Sequence, residues 1–308
     1  MKLSIILMIM GVLLSCSTPA KRRDPALIFP DQKQVKLIPW ASLENKRISE
    51  CSGITRSKSH RNIYWVHNDS GDKARIFPVK MTKDGGEKIG KEDGLNLEEA
   101  KHSDWEDITT DDEGNIYVAD LGNNHNSRKS LTIYKIEEPE DLNKDLSKKK
   151  WDKYKVKYPK EEDLPEKVVD FDCEALFHFN GHLYILTKNR SNRGTDLYRF
   201  DQLDKGKTNR PTYLDFFNTE NLVTGADISP NGKKLVVLTY TSVWVFEDFK
   251  DDKFFEGKIS WLPIRAGQCE AICFVNNNDL IITNETRQLY KLSCKDLLEI
   301  KRKETAEL

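Results

Sequence analysis

Five short segments of this chain share one pattern, and that repetition constrains the fold more than any other feature. They read ECSGI (50–54), DWEDI (104–108), DCEAL (172–176), TGADI (224–228) and QCEAI (268–272). Their last residues, Ile54, Ile108, Leu176, Ile228 and Ile272, are spaced 54, 68, 52 and 44 residues apart. These are periods of the size of a propeller blade. Each segment leads through a polar turn into an apolar run: IYWVHND (63–69), IYVADLG (116–122), LYILTKN (183–189), LVVLTYT (235–241) and LIITNET (280–286). Rich in Val, Ile, Leu and Tyr and bounded by Asn and Gly, these runs are predicted strands. A third run follows each of them, as in Ile133-Tyr134-Lys135-Ile136 and Val243-Trp244-Val245-Phe246. A weaker fourth precedes most next repeats, at 153–158, 212–217 and 258–264.

The predicted fold is therefore all-β: a single β-propeller of five blades, each of four antiparallel strands. A sixth blade is possible if the long 120–172 interval holds one. The last repeat lacks a fourth strand of its own. QVKLIPW (34–40) is expected to supply it, so that an N-terminal strand closes the ring and leaves no long exposed sheet edge.

The repeat also places the polar residues. In an antiparallel hairpin the start of the first strand lies beside the end of the second. At the first-strand start stand Glu106, Glu174 and Glu270, with Asp107 and Asp227 one residue later in the pattern. At the second-strand end stand Asn68, Asp69, Asp120, Lys188, Tyr240 and Glu285. A carboxylate-rich ring with one lysine and one tyrosine is thus expected at one mouth of the central channel. Strict alternation puts Glu106, Glu174 and Glu270 on the face of the aligned Ile or Leu, and Asp107, Asp227, Cys51, Cys173 and Cys269 on the other.

Clustered carboxylates repel one another. A hard cation such as calcium, bound through six to eight oxygens, relieves that repulsion, and makes Glu106, Glu174, Glu270, Asp107 and Asp227 candidate ligands. Proton sharing at raised pKa is a second solution and makes the three glutamates candidate catalytic groups. A third is structural, each carboxylate accepting backbone N–H bonds within its blade. Two loops add candidates for an anionic or hydroxylated ligand. HNDSGDKAR (67–75) carries Asp69, Asp72 and Arg75, and DLGNNHNSR (120–128) carries Asp120, His125 and Arg128. Either is equally an Asx-rich turn that satisfies its own backbone.

Several classes lack support. No G-x-S-x-G, H-E-x-x-H or G-x-G-x-x-G occurs, and Asp201 stands where a P-loop ending at Gly206-Lys207-Thr208 needs its first glycine. With 49 basic against 50 acidic residues, no nucleic-acid partner is advertised.

The N-terminus carries a different signal. Lys2 precedes an apolar run of 12 residues, Leu3 to Leu14, too short to span a bilayer but of signal-peptide length. Leu13-Leu14-Ser15-Cys16 resembles the bacterial lipobox. The resemblance implies cleavage after residue 15 and lipidation of Cys16, with diacylglyceryl and palmitate chains. Ser17 after it favours sorting to the outer membrane. The expected organisation is a signal peptide (1–15), a lipidated cysteine and flexible tether (16–33), the propeller (34–300) and a charged tail (301–308). The five cysteines after Cys16 cannot all pair with one another. Free, buried thiols are expected, and Cys51 with Cys269 is the pair best placed for a bridge between the first and last blades.

The series SGI…WVHNDSG, DWEDI…IYVADLGNN, DCEAL…LYILTK, TGADISPNG and CEAI…LIITNE resembles the bacterial secreted propellers grouped as SdiA-regulated-like or phytase/esterase-like proteins. The likeness runs from about residue 50 to 292. Likeness to the phytases would imply calcium and a phosphate ester, for which Lys188, Arg75 and Arg128 are the basic groups available. The expected function is a membrane-anchored lipoprotein whose propeller binds a small-molecule or protein ligand at an acidic, calcium-loaded mouth. The alternatives are a calcium-dependent phosphoester or carboxylester hydrolase, and a structural protein of the cell envelope.

Overall fold

A computed structural model of the chain describes residues 26–165 and 170–303. The expected signal peptide, the lipidation site at Cys16 and the first part of the tether lie outside the described residues.

The described residues form five sheets, and each of the five repeats heads one of them. The innermost strands are Cys51–Arg56, Asp107–Thr110, Cys173–Phe179, Val223–Ile228 and Cys269–Phe274. Each packs on the next and the last packs on the first, so they stand as a closed ring around one axis. Every blade then runs outward through antiparallel neighbours. In blade 3 the order is Cys173–Phe179, His182–Thr187, Thr195–Phe200 and Thr212–Phe217. This is a five-bladed β-propeller, and among the described residues the 120–172 interval holds the strands of one blade only.

Local chemistry explains the hairpins. Asn180 and Gly181 both have positive φ (48° and 79°) between the paired residues Phe179 and His182. A two-residue loop of that kind matches the right-handed twist of the strands it joins, and Asn-Gly is the pair that adopts it at least cost. The second strand of each blade is covered on both faces by neighbouring blades. Ile63–Asn68 is buried at every position, which is why these runs read as continuous rather than alternating apolar stretches. The core is accordingly divided into five clusters, one at each interface between blades. Trp65, Trp105 and Ile108 fill the first interface, and Phe177, Phe217 and Trp244 fill the third.

Closure departs from the expected strand. Residues 34–39 do not pair with blade 5. Val35–Lys36 instead lies parallel to Lys258–Arg265 of blade 4. The outer strand of blade 5 is Ala41–Ser42, paired antiparallel with Leu289 and Gln288 and anchored by Leu43, which is buried. Pro39 has no N–H to donate to a ladder, and pairing starts just after it, with Trp40 N–H donating to Leu289 O at 3.0 Å. Blade 4 also gathers both ends of the described chain. Leu298–Arg302 pairs with Lys258–Arg265, and Leu27–Ile28 pairs with Arg302 and Lys301. Among the described residues no helix is long and apolar enough to cross a membrane.

Candidate functional site

The start of four of the five innermost strands carries an irregularity that aims one side chain at the axis. The register shifts between Cys51 and Gly53, Cys173 and Ala175, Val223 and Gly225, and Cys269 and Ala271. The residue left unpaired is Ser52, Glu174, Thr224 or Glu270, and Glu106 holds the same place in blade 2. An extra residue in one strand bends it and re-aims the side chain at the bulge. The bulge also corrects the expectation from alternation. Cys51 and Ile54 pack in one interblade cluster, Cys173 and Leu176 in another, and Cys269 and Ile272 in a third. The cysteines therefore share the face of the aligned apolar residue, and the glutamates do not.

A second repeated bond closes the mouth. The residue just beyond the second strand donates its N–H to the carbonyl of the residue two before the bulge. The pairs are Asp69 to Glu50, Gly122 to Asp104, Lys188 to Asp172 and Glu285 to Gln268, at 2.8–3.2 Å. Three kinds of side chain thus meet at each blade: the one before the bulge, the one in it, and the one ending the second strand.

Five carboxylates converge as a result. Oxygens of Asp69, Asp104 and Glu106 lie within 4.8 Å of one another, and so do oxygens of Glu106, Asp172 and Glu174. Glu106 belongs to both groups and joins blades 1, 2 and 3. It forms no ion pair within 4 Å among the described residues. Burial, and then the charge of Glu174, push its carboxyl well above the usual range. Asp104 is pushed up to about 6 by burial and the neighbouring Asp69, against the pull of Arg128. Glu270 is pushed up to about 7 by burial, with Lys188 opposing. Lys188 reaches Glu174 at 2.7 Å and stands 5.3 Å from the Tyr240 ring. Burial works against its ammonium, but Glu174, Tyr240 and Glu270 together outweigh that and hold it charged.

The other residues singled out from sequence are placed as follows. Asp107 accepts N–H bonds from Ile108 and from Leu176 of blade 3, both at 2.8 Å. Asp227 does the same with Ile228 and with Phe274 of blade 5. Both therefore tie one blade to the next, and neither belongs to the two converging groups. Asp120 and Arg128 form an ion pair at 2.6 Å, and Arg128 also donates to the carbonyl of Gly122. Arg75 is held by Asp72 at 2.6 Å and by the carbonyl of Asp93 at 2.8 Å. The Arg75 and Arg128 side chains are thus each engaged by an aspartate of their own loop. Glu285 sits at the rim, where Gln268 donates to it at 2.8 Å. All five cysteines among the described residues are free thiols. Cys51 is not bridged to Cys269; its sulfur accepts the Thr283 hydroxyl at 3.2 Å.

Sequence reasoning missed Asp104, Asp172 and Arg190. Arg190 pairs with Asp172 and with Asn124 at the edge of the mouth. The signal for the two aspartates was present: an acidic residue stands four before the aligned apolar position in three repeats, as Glu50, Asp104 and Asp172. Gly122 was missed as well. A Cβ there would lie 1.9 Å from Glu106 Oε1 and 2.5 Å from Asp104 Oδ2, so only glycine lets the backbone pass over these carboxylates.

The donor set is all oxygen and mostly anionic, which suits a hard divalent cation of the calcium type. Fold and site together define a β-propeller with an acidic, oxygen-lined mouth on its axis. No family model matches the sequence, and no curated protein matches it. Among solved structures, the chain is similar to XC5397 from Xanthomonas campestris, described as a gluconolactonase important in glucose secondary metabolic pathways. The identity is 11%, the match covers 89% of this chain and 100% of that one, and the TM-score is 0.43.

Proposed function

We propose that this chain is a lipid-anchored propeller that binds a small-molecule or protein ligand through a calcium ion at its acidic mouth. The observation that carries this reading is Glu106, a buried carboxylate shared by two oxygen clusters and lacking an ion-pair partner of its own among the described residues. Such a group holds a proton or shares a cation. Asp69, Asp104, Asp172 and Glu174 are the other residues that would hold the ion. Bound there, calcium would supply a coordination point for oxygen atoms of a ligand. The anchor rests on the lipobox-like Leu13-Leu14-Ser15-Cys16 and would keep the propeller at a membrane surface, by Ser17 the outer membrane.

The test is a thermal melt of the chain from Ser17 onward, in calcium and then in excess chelator, for wild type and Glu174→Gln. A ligand that binds only the folded state raises the melting temperature by mass action. A rise in wild type that Glu174→Gln loses supports the reading. No rise in wild type leaves the carboxylates as proton-sharing structural groups and rejects it.

A second reading has its own observation. Glu270, near 7, exchanges a proton at neutral pH beside the cluster, as a general acid or base must. This favours a calcium-dependent hydrolase of phosphate or carboxylic esters. Turnover of an ester panel, lost in Glu270→Gln and in chelator, would establish it.

A further inference from the structure

The other end of the axis, where the innermost strands finish, has a different chemistry. A cavity of about 240 Å³ opens there, lined by the two residues that follow the aligned apolar position in several blades. Thr55 and Thr109 are two of them, and they are only 6% and 4% exposed. Neither side-chain hydroxyl has a hydrogen-bond partner among the described residues, so both are free to donate into the cavity. Arg56 and Lys58 stand at the rim of the same cavity. Arg56 donates one N–H to the carbonyl of Val275 at 2.9 Å, and neither cation forms an ion pair within 4 Å among the described residues. The cavity also contains Asp227, but both of its oxygens already accept backbone N–H bonds, from Ile228 and Phe274. Burial pushes the Asp227 carboxyl up to about 7, so at neutrality it carries only part of a negative charge.

We propose that this cavity is a second binding site, independent of the acidic mouth, for a small oxyanion. The phosphate or carboxylate group would accept from the Thr55 and Thr109 hydroxyls and from the Arg56 and Lys58 side chains. Charge-assisted donors of this kind, combined with neutral hydroxyls, are what such an anion requires. Four donor side chains line one open cavity, and among the described residues only one acid does.

The test is calorimetric titration of the chain from Ser17 onward with inorganic phosphate and, separately, with succinate. Excess chelator is present throughout, so that metal at the acidic mouth contributes nothing. Saturable binding of at least one anion is expected, and which one binds identifies the source of the group. The Arg56→Gln/Lys58→Gln variant should bind at least tenfold more weakly. Thr109→Val, which keeps the shape and removes the hydroxyl, should weaken binding several-fold. Glu174→Gln, at the far mouth, should bind as wild type does. No saturable heat from either anion would overturn the proposal, as would wild-type affinity in the Arg56→Gln/Lys58→Gln variant.

Discussion

Lys188 Nζ lies 2.7 Å from Glu174 Oε1, and both side chains are almost wholly removed from solvent. Thr187 is the register partner of Cys173, so the two charges are adjacent by strand pairing alone. This pair supplies the cation closest to the heart of the carboxylate cluster, which otherwise depends on Arg128 and Arg190 at its edges.

Lys188→Met is therefore expected to leave a buried carboxylate without its partner. Breaking a buried pair in this way costs about 3–5 kcal/mol. Urea unfolding in chelator should show that loss, and calcium should recover part of it by replacing the missing charge. Wild-type stability in chelator would mean that Glu174 does not rely on Lys188.

Gly122→Ala acts on the same cluster from the backbone side. The added methyl collides with the Glu106 and Asp104 carboxylates rather than with the core. The fold should survive, with unchanged far-ultraviolet circular dichroism, while the calcium-dependent rise in melting temperature falls away. A full calcium response in this variant would place the ion elsewhere.

Asp107 provides the contrast. Asp107→Ala leaves the Leu176 N–H without its acceptor and should cost about 1–3 kcal/mol in denaturant unfolding. Its calcium response should match that of wild type, because Asp107 ties blade 2 to blade 3 and belongs to neither carboxylate group. Loss of the response would move Asp107 into the ion's coordination.

Stability should depend on pH through Glu270. Its carboxyl is raised from the ordinary 4.5 to about 7 in the folded chain. Between those values the folded state binds more protons than the unfolded one. The resulting stabilisation is present below about pH 4.5 and is lost as pH rises through 7, on the order of 3 kcal/mol if fully expressed. His67, pushed down to about 4 by burial, acts with the opposite sign over an overlapping range. The readout is therefore the difference between wild type and Glu270→Gln in chelator. Wild type should lose more stability than the variant between pH 5 and 7.5; parallel curves would refute the shift.

The thiols give a chemical check on the interblade packing. Cys51, Cys173, Cys269 and Cys273 are buried, and Cys294 is half-buried. In the folded chain from Ser17 onward, a thiol reagent should label Cys294 at most, and all five only after denaturation. Reductant should not change the melting temperature. A fall on reduction would reveal a disulfide.

Much of this is legible in the amino-acid sequence. Ile54, Ile108, Leu176 and Ile272 mark the innermost strands because each blade must bury the same position between its neighbours. In blade 4 that position is Ala226, two residues before the aligned Ile228, which is only partly buried. Hairpin pairing brought Lys188 beside Glu174 on sequence grounds too. The closing strand was misplaced by a few residues, since two short apolar stretches stood side by side and only pairing with Leu289 and Gln288 distinguishes Ala41–Ser42 from 34–40. Arg75 and Arg128 read as open to a ligand, whereas Asp72 and Asp120 already hold them.

The periodic residues by themselves determined the propeller fold, the strand order within each blade and the end of the axis where acidic groups gather. These follow from short-range pattern, because a strand's apolar faces and its turns are written in adjacent residues. Only the tertiary structure decided five blades against six, and which carboxylates meet. The bulges at Glu174 and Glu270 arise from how one strand registers on the next, and they override the alternation that a single strand implies. Glu106 joins Asp69, Asp104, Asp172 and Glu174 because ring closure brings blades 1, 2 and 3 to one point, a distance that no single repeat encodes.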